Sequence, residues 1–442
     1  MLFRARRTEH DREIARLAIP ALGQLGAEPL YVLVDTAVVG HLGTTELGGL
    51  AVAGTLLTTA FWLFNFLAYG TTAAVARLFG AGDQRRAARQ AVQSLWLALL
   101  IGAGLMLSGA LLAPVGMTLM GAEGEVAEAG LTYFRISLVG MPAILIALVG
   151  MGYLRGLQDT MRPLWIAIVA NVANLVIELF LVFGLDWGIA GSAWSTVIAQ
   201  WGAAAWYLRL IAADARTHAA SFRPALADLG ALARVGRDLF ARTGALLIAL
   251  GLATAVAARI SDVALAAHQV AFQIWVFLAL ALDAVAIAGQ AMIGRFLGAS
   301  NVAAARASSR RMLELGLWCG VLFAVGLVVL RPVLGPLFTT DDTVIGLLDD
   351  VLIIVALLQP LNAAVFVLDG VLIGAGDFSF LARAMVAAAV AYAPFAILVA
   401  VADLSLLVLW GALSALMLAR LVANYARWRG DTWLVVGDVR TA

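Results

Sequence analysis

Two carboxylates stand inside the first long apolar stretch of the chain, residues 14–40. Glu28 and Asp35 lie seven positions apart, and at about 100° per residue of helix their side chains project within roughly 20° of one another. Acids at bilayer depth are costly and face a protected interior, so this stripe indicates a functional site. Pro20 and Pro29 each remove a backbone donor, which predicts that the helix bends near one of them and can move.

The elements that carry these acids must be membrane helices. Of the 442 residues, 63% are hydrophobic and 13% charged, and the mean hydropathy is +0.96, which excludes a soluble globular protein. We expect an all-α polytopic membrane protein with twelve transmembrane helices, because twelve apolar runs reach the ~20 residues that cross a bilayer. The runs cover residues 14–40, 47–76, 90–113, 130–153, 163–184, 188–210, 239–259, 264–294, 311–330, 350–373, 381–402 and 404–426.

Charge is distributed unevenly between the connections. Every basic residue except histidine is arginine, and the arginines cluster in alternate connections while the opposite ones are acidic. By the positive-inside rule this predicts a multi-pass protein of the inner (plasma) membrane with both termini in the cytoplasm. No connection is long enough for a separate catalytic or nucleic-acid-binding domain, and no HExxH, GxSxG or Walker motif is present. We therefore expect no nucleic-acid partner and no enzyme cofactor.

The chain is an internal duplication. A shift of 218 residues aligns its two halves without a gap over most of their length, and it superposes Pro142 on Pro360 and Gly152 on Gly370. Six spans per copy leave both copies in the same orientation, so their pseudo-twofold axis should run along the membrane normal. We predict two pseudo-symmetric six-helix bundles around a central cleft, residues 1–215 and 239–442, joined by a cytoplasmic linker over 216–238.

The polar residues of the first bundle are not repeated in the second. Asp35 aligns with Ala253, and the fifth span carries a stripe of its own, Asn171, Asn174 and Glu178, at positions i, i+3 and i+7. A packing device needed by the fold should tend to appear in both copies. These residues are therefore functional candidates, and the fifth-span stripe is positioned to face the acids of the first span.

The second bundle has a sparser polar set of its own. Asp369 aligns with Met151, and the eighth span carries His268, Gln269 and Asp283. The residues that we predict to line a substrate cavity are Glu28, Asn171, Gln269, Asp283 and Asp369.

Glycines recur in two further patterns. The GxxxG spacings from Gly152 to Gly156 and from Gly370 to Gly374 predict close helix packing. The GAGD stretches at 80–83 and 374–377 match a motif of intramembrane aspartyl proteases, but they stand beside Arg-rich loops and read better as glycine helix stops.

Several longer stretches together resemble the multidrug and toxic compound extrusion (MATE) transporters, and within them the DinF-like branch. They are VDTAVVGHLG at 34–43, ARLFGAGD at 76–83, GYLRGLQDT at 152–160 and LAAHQVAFQIW at 265–275. The resemblance covers essentially the whole chain. It implies a MATE-like antiporter with two six-helix bundles that exports amphipathic, often cationic compounds against H⁺ or Na⁺.

The resemblance also assigns roles to individual residues. Pro20 matches the hinge proline of the first helix, and Asp283 resembles an eighth-helix acid of the DinF-like branch. The residues that it places in the cation site are Asp35, Asn174, Glu178 and Thr196. Glu178 stands where some relatives have aspartate.

The sequence thus predicts a cation-coupled antiporter, with H⁺ favoured over Na⁺, that works by alternating access. We expect no metal centre, although Na⁺ could bind at Asp35, Asn174 and Glu178. The expected partners are small amphipathic molecules and the lipid bilayer, and the expected oligomeric state is a monomer. Two alternatives stay open: a lipid or lipid-linked precursor flippase of the same superfamily and, less favoured, an intramembrane enzyme.

Overall fold

The computed structural model describes residues 9–437, apart from the side chains of Glu9 and Glu28. Within them the chain is built from α-helices, and one π-helical turn, Phe180–Gly184, extends the seventh. The helices are α1 (Glu9–Gly40), α2 (Thr44–Phe64), α3 (Phe66–Gly80), α4 (Gln84–Leu119), α5 (Gly124–Leu138), α6 (Met141–Gly156), α7 (Met161–Leu179), α8 (Gly188–Thr217), α9 (Leu226–Ile260), α10 (Asp262–Gly298), α11 (Val302–Phe338), α12 (Asp342–Gly374), α13 (Phe378–Val401) and α14 (Leu406–Arg429).

These helices are consistent with the twelve spans that the sequence predicts, and eleven of the spans are long and apolar enough by themselves. Across residues 9–437, ten helices are long and apolar enough to cross a membrane, and the pair α5 and α6, bent by 49°, makes an eleventh. Among the ten, α2 and α3 count as one span that is interrupted at Asn65. The helix α8, Gly188–Thr217, is not among these spans, although its thirty residues are long enough to cross a bilayer and coincide with the sixth span predicted from the sequence. The predicted fold class is confirmed.

Local sequence sets where the helices stop and start. Gly82 and Gly376, the second glycines of the two GAGD stretches, adopt φ of +78° and +70°, a region that glycine enters without steric cost. After the first GAGD stretch the next helix begins with a side-chain cap, since Asp83 accepts from Arg86 N at 2.9 Å. Asn301, the counterpart of Asp83 in the second copy, caps α11 in the same way by accepting from Ala304 N at 3.0 Å. The GAGD stretches are helix stops.

The GxxxG glycines hold neighbouring helices in close contact. A Cβ on Gly152 would stand 2.6 Å from Ala68 O, and one on Gly370 would stand 2.4 Å from Ala286 O. These distances are too short for any side chain. The predicted close packing is confirmed, between α3 and α6 in the first copy and between α10 and α12 in the second.

The helices divide into two compact units. The amino unit is Gly23–Gly236, and the carboxyl unit comprises, among the described residues, 9–22 and 237–437. One division falls inside α1, three residues after Pro20, and the other inside α9, which begins at Leu226 within the residues predicted to form a linker. Ion pairs explain why the start of α1 belongs with the second copy: Arg311 contacts Asp11 at 2.6 Å, and Arg295 contacts Glu13 at 2.6 Å.

Candidate functional site

Asp35 is the centre of a polar cluster inside the amino unit. Its side chain on α1 is only 5% exposed, and its Oδ1 accepts a 2.7 Å hydrogen bond from Ser192 Oγ on α8. Ser195 Oγ, one turn further along α8, donates to Ser192 O at 2.7 Å. The acid therefore joins α1 to the first turns of α8.

Asn174 and Thr196 extend the cluster to a third helix. Asn174 Nδ2 on α7 donates to Thr196 Oγ1 at 3.2 Å and to Ser195 Oγ at 3.4 Å. Thr196 Oγ1 also lies 2.7 Å from the hydroxyl of Tyr31 on α1. The two polar stripes predicted on the first and fifth spans thus meet across the hydroxyls of α8.

Glu178 completes the cluster and is the least satisfied of its members. The residue is fully buried on the last turn of α7, and neither carboxylate oxygen makes a hydrogen bond of good geometry to any described residue. Its carboxyl nevertheless lies beside the Asp35 carboxyl and the Ser192 hydroxyl. The π-helical turn Phe180–Gly184 begins two residues later, and π-helical turns often occur at functional sites.

Two acids side by side in a buried site determine its chemistry. Like charges in a medium of low dielectric repel strongly, so both carboxylates cannot be ionised without a counter-charge. A single monovalent cation, whether a proton or a metal ion, relieves that repulsion. The arrangement can bind one cation and release it when the surrounding donors move.

Two tyrosines and two serines of this site were missed by the sequence analysis. Tyr133 on α5 lies beside Ser192 and Thr196 and is 5% exposed. Tyr31 precedes Asp35 by four positions, so the helical period could have placed it on the acid stripe. Nothing in the sequence marks Tyr133 or the two serines apart from many other small polar residues.

Comparison with known proteins identifies the family of the chain. The MatE family model matches residues 20–180 and 246–398. The chain belongs to the MATE family. It is 32% identical to the chloroplastic protein DETOXIFICATION 44 of Arabidopsis thaliana, over 95% of this chain and 82% of that protein. It is 30% identical to the DNA damage-inducible protein F of Escherichia coli, over 96% of this chain and 94% of that protein.

Solved structures share the fold. An outward-facing multidrug resistance MATE transporter superposes with a TM-score of 0.86 over 96% of both chains, at 22% identity. A MOP superfamily transporter from Pyrococcus furiosus gives the same TM-score and identity over 96% of this chain and 97% of its own.

Family membership bears on the three functions left open by the sequence, which are an antiporter, a flippase and an intramembrane enzyme. MATE proteins are transporters, so this chain is a multi-pass membrane transporter of small molecules and not an enzyme. The predicted family, with DinF-like relatives, is confirmed. Multidrug efflux is the function attached to the matched relatives, and the flippase alternative is not favoured.

Of the remaining first-bundle candidates of this MATE chain, Asn171 lies beside the cluster. Asn171 is half-buried one turn before Asn174, and its Nδ2 donates to Ala27 O on α1 at 3.1 Å. The side chain of Glu28 lies outside the described residues. Helix α1 continues through Pro20 and Pro29. Within the described residues, no group of three or more His, Cys, Asp or Glu side chains is placed to hold a metal ion.

The second-bundle candidates occupy different settings in the carboxyl unit. Gln269 is exposed and Asp283 is half-buried, both on α10. Asp369 on α12 is buried in an ion-pair cluster: Arg242 and Arg420 each donate to its Oδ2, at 2.6 and 2.7 Å, and Asn424 donates to its Oδ1 at 2.7 Å. Both carboxylate oxygens of Asp369 therefore accept hydrogen bonds from side chains of α9 and α14.

Proposed function

We propose that this MATE chain is a proton-coupled antiporter that exports amphipathic, often cationic organic compounds. The observation that carries the proposal is the buried pair of carboxyls formed by Asp35 and Glu178, in which Glu178 has no good hydrogen bond to either oxygen. A group left in that condition costs about 1–3 kcal/mol, so the site favours an occupant that the protein itself does not supply.

The hydrogen bonds around the pair favour a proton over Na⁺ as that occupant. A sodium ion needs several converging oxygens, whereas the hydroxyl oxygens of Ser195 and Thr196 already accept from Asn174. Ser192 in turn presents its hydrogen, not a free lone pair, to Asp35. A proton needs no such shell and can be held between the two carboxyls.

Coupling to movement follows from where these bonds are made. Asp35 and Tyr31 both lie on α1, and their contacts with Ser192 and Thr196 hold that helix against α8. Charging or neutralising the pair changes those contacts. Pro20 lacks the amide that would bond to Arg16 O, so we assign it as the hinge at which α1 bends as the cluster reorganises.

The proton gradient supplies enough energy for export. One charge crossing a potential of ~150 mV releases about 3.5 kcal/mol, which sustains roughly a 300-fold gradient of a neutral solute. With both termini in the cytoplasm of an inner membrane, as the arginine bias indicates, alternating access would release substrate outward. We take the monomer as the transporting unit, with no cofactor other than the coupling ion.

Reconstituted vesicles test the coupling directly. Efflux of a fluorescent cationic dye should follow an imposed pH gradient in the wild type and should fall to the level of protein-free vesicles in Asp35→Asn. The matched control is Asp403→Asn, because Asp403 is exposed and has a φ of +49° that asparagine also adopts. Dye movement driven by a Na⁺ gradient alone, or undiminished proton-driven efflux in Asp35→Asn, would overturn the proposal.

A further inference from the structure

The amino unit contains a cavity at the end opposite its acid cluster. The cavity measures about 260 Å³, and Phe79, Tyr153, Leu157, Asp159, Asp214 and His218 are among its lining residues. These residues stand where α3, α6 and α8 end, beside the Arg-rich connections. Ser192 and Asp214 are separated by 22 positions of the continuous helix α8, which is about 33 Å at 1.5 Å per residue. The cavity is thus separate from the cation site.

The polar groups of the cavity favour a positive ligand. Asp159 forms an ion pair with its neighbour Arg162 at 3.2 Å, and its Oδ1 accepts hydrogen bonds from two backbone amides. Among the described residues, Asp214 instead receives a neutral donor, the hydroxyl of the buried Tyr153, which lies 3.1 Å from its Oδ2. The ionisable lining groups are two carboxylates, the guanidinium of Arg162, which pairs with Asp159, and the imidazole of His218. Among the described residues, Asp214 therefore has no arginine partner.

The second copy of the repeat shows the equivalent positions closed. By the shift of 218 residues, Phe79 corresponds to Leu297 and Leu157 to Ala375. Both residues of the second copy are completely buried, whereas Phe79 and Leu157 are partly exposed. These positions are therefore covered in the second copy and partly open in the first.

The segment that closes the second copy is the stretch after α14. Helix α14 ends at Arg429, whereas α8 continues six residues past the corresponding position, to Thr217. Residues 430–437 then fold back so that Gly437 N donates to Leu297 O at 3.1 Å. Trp433 in this segment is fully buried, and its Nε1 donates to Trp428 O at 2.9 Å. This segment of the second copy thus contains a buried indole ring, whereas the corresponding positions 212–217 of the first copy continue α8.

We propose that the cavity of the amino unit is a binding site for small arylalkylamines, in which a protonated alkylamine is attached to an aromatic ring. The ring would pack against Phe79, Tyr153 and Leu157, and the ammonium group would pair with Asp214. An aromatic side chain and a carboxylate together favour a protonated arylalkylamine over a neutral aromatic ring or an aromatic acid. The volume suits a fused two-ring molecule, since it lies just below the usual range of ligand pockets.

Binding to the purified full-length protein in lipid nanodiscs tests the site without any transport assay. Calorimetry with tryptamine should show saturable binding, whereas indole-3-propionate, which carries the same ring and the opposite charge, should bind at least tenfold more weakly. Equal binding of the two compounds, or none of either, would contradict the proposal whether or not the chain is a proton antiporter.

Substitutions locate the binding. Asp214→Asn keeps the shape of the side chain and should weaken tryptamine binding roughly tenfold, the size of a lost charge-assisted hydrogen bond. Leu157→Trp places an indole in the cavity and should abolish binding, with size-exclusion chromatography checking that the variant is folded. Glu125→Gln, which removes an exposed acid on α5, is the matched control and should bind like the wild type. If both cavity variants bound tryptamine with wild-type affinity, tryptamine would bind elsewhere on the protein and the proposal would be wrong.

Discussion

Ser192 donates a 2.7 Å hydrogen bond to Asp35 across 157 positions of sequence. The two helices that they join, α1 and α8, meet at the carboxyl pair, and a hydrogen bond to a charged group contributes about 1.5–3 kcal/mol. The contact is therefore strong enough to decide how firmly α1 is held while the pair is charged.

Replacing Ser192 should uncouple α1 from the cluster without unfolding the protein. Ser192→Ala removes one donor and creates little cavity, so we expect proton-driven dye efflux from vesicles to fall roughly tenfold, the size of a lost 1.4 kcal/mol contact. Ser108→Ala is the control, because Ser108 on α4 bonds only to its own helix, at Gly104 O and Leu105 O. Equal rates in the two variants would show that the Asp35 contact does not limit transport.

Glu178 should limit stability while it supports transport. Its two unsatisfied oxygens lie in a fully buried site, so Glu178→Leu should raise the unfolding free energy by about 1–3 kcal/mol and abolish coupled efflux. The thermal midpoint of the purified protein gives the first quantity and vesicle efflux the second. Glu128→Leu, at an exposed position of α5, should change stability by no more than about 0.5 kcal/mol. A lower midpoint for Glu178→Leu would mean that the acid is satisfied in the folded protein.

Asp369 should stabilise the fold of the carboxyl unit through its buried ion pairs. Asp369→Asn leaves the guanidiniums of Arg242 and Arg420 without their shared carboxylate, and breaking a buried ion pair costs about 3–5 kcal/mol. Asp349→Asn makes the same substitution at a partly exposed pair, where Arg331 Nε lies 2.7 Å from the acid, and should cost less than about 1 kcal/mol. Thermal unfolding of both variants measures the difference. Similar losses would contradict the assignment of Asp369 to a buried network.

Gly370 should tolerate no side chain. Its Cβ would stand 2.4 Å from a backbone oxygen, that of Ala286, so Gly370→Ala must separate α10 from α12 and should destabilise by about 1–3 kcal/mol. Gly251 on α9 has no atom within 4 Å of the same added group. Gly251→Ala should therefore be neutral or stabilising by up to about 1 kcal/mol through helix propensity. The two thermal midpoints, taken in the same detergent, should move in opposite directions or differ by several degrees.

The sequence by itself was sufficient for the architecture. Hydropathy defined the spans, since each must present about 20 apolar residues to lipid, and the repeat of 218 residues divided the helices into two copies. Helical periodicity also predicted that Asn174 and Glu178 share one face of α7, and the same periodicity could have added Tyr31 to the face that carries Asp35. These signals are local, so they can be read without knowing which helices are neighbours.

Only the tertiary structure decided which groups those faces meet. The contact of Asp35 with Ser192 and the pairing of Asp369 with Arg420 join residues on helices far apart in sequence, and neither follows from any spacing. The difference between the partly open positions of the first copy and the buried ones of the second is likewise tertiary, since it involves contacts such as that of Gly437 N with Leu297 O. In an apolar helix the sequence scarcely marks which face is packed, because lipid and protein interior both accept the same side chains.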